Sequence, residues 1–90
     1  MTDEYVLDVT GLEPPEPLQH ALSAAEALLP GRYIRLKINR DPLLLYPMLR
    51  VQGFSYDTRA GTSSRLEVFI WRANDKEAES GVRASQDLSK

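Results

Sequence analysis

Only a few side chains in this sequence could act as nucleophile, base or ligand. The chain has no cysteine, which excludes a thiolate nucleophile, a thiolate metal ligand and a disulfide, and leaves the redox compartment undecided. His20 is the single histidine. With Leu18 and Leu22 on the apolar stripe of a helix, it points to solvent one turn from Glu16. Glu16 and His20 would need further donors to hold a metal ion, because tetrahedral sites normally draw on three or four protein ligands. No metal and no cofactor is expected. Asp8, Asp41 and Asp57 are spread through the sequence without a spacing that pairs any two of them for acid–base work. Asp41, just before Pro42, reads as a helix cap. Thr62, Ser63 and Ser64 share a loop with no histidine near in sequence, and read as polar turn residues. No catalytic constellation emerges, so the chain is expected not to be an enzyme.

Two groups of residues are better placed for recognition. The loop Gly11-Leu12-Glu13-Pro14-Pro15-Glu16-Pro17 sits where a strand passes into a helix. It is either a recognition surface or a rigid turn. A helix N-terminus favours anions, but Glu13 and Glu16 already occupy that role, which argues against a phosphate or sulfate site. The second group is Arg35, Lys37, Phe69 and Trp71, together with Arg65 and Glu67. Strand alternation puts these side chains on one face of a sheet. They form either a solvated face, in which basic stems cover the two aromatics, or an interface.

The elements that must position these groups can be read in order. Tyr5-Val6-Leu7-Asp8-Val9 is a strand closed by Gly11. Residues 15–29 carry Leu18, Leu22, Ala25, Leu28 and Leu29 on one helical face, with prolines at the start and Pro30-Gly31 at the end. Tyr33 to Asn39 alternates, with Ile34, Leu36 and Ile38 opposite Arg35 and Lys37, which implies a sheet with one buried face. Asp41-Pro42 begins a second helical stretch, with Leu44, Leu45, Met48 and Leu49 as its stripe and Gly53 as its stop. Pro47 leaves two alternatives: a turn at 42–46 before a helix that starts near Pro47, or a helix kinked there. Residues 54–59 and 65–72 read as a hairpin around Ala60-Gly61-Thr62-Ser63-Ser64. In its second strand Leu66, Val68 and Ile70 face one way, and Arg65, Glu67, Phe69 and Trp71 the other. Residues 73–90 lack periodicity and read as a disordered or loosely packed C-terminal tail.

The segment Leu7-Asp8-Val9-Thr10-Gly11-Leu12-Glu13-Pro14-Pro15-Glu16-Pro17-Leu18 resembles the signature of the TusA/SirA family of small sulfur carriers, Leu-Asp-x-x-Gly-Leu-x-Cys-Pro-x-Pro-Leu. The resemblance implies that family's two-layer α/β sandwich over residues 5–72. It places Pro14 where the family's persulfide-bearing cysteine stands, so sulfur transfer does not carry over. That proline, with Asp41-Pro42 and Leu45-Tyr46-Pro47-x-Leu49, resembles a cysteine-free branch classed as a domain of unknown function. Its members are often fused to, or encoded near, hemerythrin-like proteins in bacteria with respiratory nitrogen metabolism.

The expected fold is an α+β two-layer sandwich, β-α-β-α-β-β, with a four-stranded mixed sheet and two helices on one face. Residues 1–72 form the domain and 73–90 the tail. The two β-α-β steps favour parallel pairing, and the other sheet face is left open. Hydrophobic residues at 42% and charged residues at 27% are ordinary for a folded soluble domain. A net charge of -2 gives no electrostatic case for nucleic acid or an anionic membrane. The acidic N-terminus lacks the features of a signal peptide, and no apolar run reaches the length of a membrane span, so a cytoplasmic location is expected. The expected function is a non-enzymatic binding or accessory module that engages an unidentified protein partner, or a second copy of itself. The alternative is a protein that binds a small molecule or sulfur compound without covalent sulfur transfer.

Overall fold

A computed structural model describes residues 3–88, with side chains described for 4–85. The chain runs β1 (Asp3–Asp8), α1 (Glu16–Glu26), β2 (Arg32–Ile38), α2 (Leu45–Val51), β3 (Phe54–Ala60), β4 (Leu66–Arg72) and α3 (Lys76–Leu88). The strands form one mixed sheet in the order β1-β2-β4-β3. β1 and β2 pair in parallel across α1, as the first β-α-β step requires. β2 and β3 are not neighbours. β4 lies between them, antiparallel to both, so the second step is completed by insertion of the hairpin's returning strand.

Strand alternation sorts the core. Ile34, Leu36 and Ile38 pair with Ile70, Val68 and Leu66 on one face, where α1 and α2 pack. Ala21, Ala25, Leu45 and Leu49 supply the helical side of that core. The small alanines let α1 approach the sheet closely; Leu18 and Leu22 are only partly buried. The helix ends at Glu26, earlier than the apolar pattern suggests, and Leu28 enters the core from the loop. At α2 a turn precedes the helix, as in the first alternative, but it is shorter than 42–46 and the helix begins at Leu45 rather than near Pro47. Pro47 then lies in the first turn, where its missing amide hydrogen has no intrahelical acceptor to lose.

The segment after β4 departs from the expected loose tail. It forms α3, which packs on the second face of the sheet over Tyr33, Phe69 and Trp71 through Ala78 and Val82. The α+β class and mixed sheet are as expected, but the sandwich has three layers. Asp75 starts α3: its Oδ1 accepts the Ala78 amide at 3.0 Å and its Oδ2 accepts the Gly31 amide at 2.7 Å. Gly31 has a φ of +80°, which a side chain would strain, and this conformation places its amide against Asp75.

Candidate functional site

The carboxyl ends of β1 and β2 point the same way, so the loops that leave them for α1 and α2 meet at one edge of the sheet. A cleft of about 530 Å³ opens there. In open α/β sheets the carboxyl ends of parallel strands are the usual place for ligands.

The first wall is the proline loop. Val9 extends the β1–β2 ladder by donating its amide to the Lys37 carbonyl at 3.0 Å. Asp8 then turns the chain, accepting the Thr10 hydroxyl at 2.7 Å and the Thr10 amide at 3.0 Å. These bonds, the hydroxyl's above all, hold the Asp8 carboxyl below its ordinary value. Two further turns follow, Leu12 N–H to Val9 O and Glu16 N–H to Glu13 O, with a cis peptide between Pro14 and Pro15. Gly11, Leu12, Glu13, Pro14, Pro15 and Pro17 all line the cleft. Glu16 instead opens α1.

The second wall is the segment 39–45. Asn39 Oδ1 accepts the Arg65 amide at 2.9 Å, tying this wall to the β3–β4 loop. Asp41 does not cap α2, whose N-cap residue is Leu44 and has no side-chain hydrogen bond. Its Oδ1 accepts the Tyr46 hydroxyl at 2.8 Å instead, and that hydroxyl also meets Thr58 Oγ1 at 2.7 Å. The Tyr46 ring stacks on Tyr56 with centroids 4.5 Å apart, and Arg50 hydrogen-bonds the Tyr56 hydroxyl. Burial raises the Tyr46 phenol above its ordinary value, so it stays a neutral donor.

Val9, Leu36, Ile38 and Leu45 form the buried part of the lining, and Leu12, Leu43 and Leu44 the exposed part. Leu43 and Leu44 are 68% and 75% exposed, where the helical pattern placed Leu44 on a buried stripe. The turn at 42–44 rotates them away from the core. The polar groups of the lining are Thr10, Glu13, Asn39, Arg40 and Asp41. The proline loop is thus one wall of a cleft whose other wall, the segment 39–45, sequence reasoning read as the end of a strand and the approach to a helix, with a turn as one alternative, and not as part of a site. The signal available was that Asp41-Pro42 and Pro47 are too close for one uninterrupted helix.

The other residues singled out from sequence lie on the opposite side of the sheet. Arg35, Lys37, Glu67, Phe69 and Trp71 share one face, as alternation requires, but the face is not open. Phe69 and Trp71 are buried beneath α3. The Arg35 guanidinium stacks over Phe69 at 5.3 Å rather than over Trp71, bonds Ser85 Oγ at 2.7 Å and pairs with Glu4 at 3.0 Å. Lys37 donates to Ser63 Oγ at 2.9 Å, so that hydroxyl braces the sheet face. His20 is exposed on α1, as expected. Among the described residues no three His, Cys, Asp or Glu side chains cluster as metal ligands, and no helix is long and apolar enough to cross a membrane.

The family model described as "Uncharacterized conserved protein (DUF2249)" matches residues 6–72. No curated protein matches the chain, and no solved structure does. The matched span contains both walls of the cleft and ends before α3.

Proposed function

The chain belongs to this DUF2249 family, and we propose that it is a non-enzymatic binding module whose cleft takes a compact, mostly apolar ligand. The observation that carries this reading is the cleft of about 530 Å³, with its leucines and prolines, at the carboxyl ends of two parallel strands. Its volume lies within the usual range of small-molecule pockets, and an apolar wall with a few polar groups is their usual composition.

The non-enzymatic part rests on how the lining's polar groups are used. Thr10 donates its hydroxyl to Asp8, whose lowered pKa makes it a weak base, and Asp41 accepts the Tyr46 hydroxyl; among the described residues no histidine or lysine lines the cleft to activate a nucleophile. We infer a distant relation to the TusA-like carriers from the motif alone. On that reading Pro14 lines the cleft at the position of the carrier cysteine, and the wall is kept without its thiol. A cytoplasmic location belongs to the same proposal. A second reading is a protein partner that inserts apolar side chains into the cleft, favoured by the exposure of Leu43 and Leu44.

The fluorescent probe 1-anilinonaphthalene-8-sulfonate, titrated into the native protein, tests the cleft. Saturable binding at one site is expected, with amide shifts confined to residues 9–15 and 39–45. Leu44→Asp should abolish it while near-UV circular dichroism stays native. Unsaturable binding, or shifts elsewhere, refutes the reading.

A further inference from the structure

Among the described residues, three buried side-chain atoms have no hydrogen-bond partner: Arg35 Nε, Glu67 Oε2 and Trp71 Nε1. All three project from β2 and β4 on the side covered by α3. Buried polar groups in native proteins are nearly always paired, and an unpaired one is destabilising. Two of them, Arg35 Nε and Trp71 Nε1, belong to residues that α3 itself touches, which marks it as an incomplete cover for their polar groups.

The helix itself agrees. Among the described residues its buried side chains are the small Ala78 and Val82, and Gly81 interrupts its middle with a poor helix former. Asp75 ties its start to Gly31, and further along Ser85 meets Arg35 and Tyr33. The family match stops at Arg72, so Tyr33, Phe69 and Trp71 belong to the matched unit, whereas their cover does not.

We propose that this face is a docking surface for an amphipathic helix of a second protein, which α3 covers in cis. The chemistry of the preferred helix follows from what α3 leaves unpaired. Small residues must stand four apart, as Ala78 and Val82 do, to approach Phe69 and Trp71. At the place of Ser85 a carboxylate fits better than a hydroxyl. Arg35 Nη2 already serves both Ser85 and Glu4, whereas Nε is idle. A carboxylate accepts Nε–H and Nη2–H together as a two-pronged pair, which one hydroxyl oxygen does less well.

The probes are two fluorescein-labelled peptides with the sequence of residues 73–90, one native and one carrying Ser85→Glu. Each is titrated into the full chain and into its Asp75→Ala variant, whose helix is less firmly anchored. The Ser85→Glu peptide should bind about tenfold more tightly than the native one, as an added charge-assisted pair would give. The indole N–H resonance of Trp71 should shift, and the protein's own α3 amides should move towards disordered values. Full-length protein at high peptide concentration supplies the same readout if Asp75→Ala does not fold. Absence of binding by either peptide, or binding without movement of the Trp71 indole, overturns the proposal. Equal or tighter binding of the native peptide, or dimerisation by exchange of α3, also overturns it and makes a second copy the occupant.

Discussion

Asp75 holds two parts of the chain with one carboxylate, so its removal gives a well-defined perturbation. In Asp75→Ala the Ala78 amide loses its cap and the buried Gly31 amide loses its acceptor. Loss of an N-cap costs about 1 kcal/mol. Leaving a buried amide unpaired costs a further ~1–3 kcal/mol. With the higher figure trimmed because Asp75 is itself partly exposed, the total is about 2–3 kcal/mol. For a domain of this size that is a fall in Tm of roughly 10–20 °C. Hydrogen bonds from Ala78 and then Gly31 hold the Asp75 carboxyl below its ordinary value of 3.8. Its folded pKa is therefore depressed. The stabilisation is complete above 3.8 and fades as pH falls through the lower, folded value. Asp75→Ala should be less sensitive than the wild type to acid in that window. Asp75→Asn keeps an acceptor without a charge and should recover part of the neutral-pH loss. The assay is thermal unfolding from neutral to acidic pH, followed by the fluorescence of Trp71, the chain's one tryptophan, which lies beneath α3. A loss below ~0.5 kcal/mol at neutral pH, or an unchanged acid response, would refute the reasoning.

Tyr46→Phe removes the hydroxyl between Asp41 and Thr58 and should cost about 1 kcal/mol, read by denaturant unfolding. Because Asp41 lines the cleft, the same variant should also weaken binding of the anilinonaphthalene probe. Incubation with a cysteine desulfurase and its substrate should leave the intact mass unchanged, because the chain offers no thiol to carry persulfide sulfur. A mass increase of one sulfur atom would contradict this.

The sequence by itself determined the side on which each sheet residue lies. A strand alternates with a period of two, so Ile34, Leu36 and Ile38 had to face one core and Arg35 and Lys37 the other side, whatever covered them. It also determined what chemistry was unavailable, since a chain without cysteine has no thiolate. What covers the second face was a tertiary decision. The α3 segment is more clearly amphipathic than α1 but polar on average, and its apolar stripe is carried by the small Ala78 and by Val82, with Gly81 between them, so large apolar residues do not announce it. The local mark that was present is Asp75 before a first turn holding Glu77 and Glu79, a capping and dipole pattern. Which strand stood beside β2 was likewise settled in three dimensions, because alternation fixes faces and not neighbours. The cleft was half legible: the proline loop marked one wall. The other wall exists because Asp41 accepts the Tyr46 hydroxyl instead of capping α2, and that hydroxyl is held in turn by Thr58, a choice that depends on β3 lying close enough to supply Thr58.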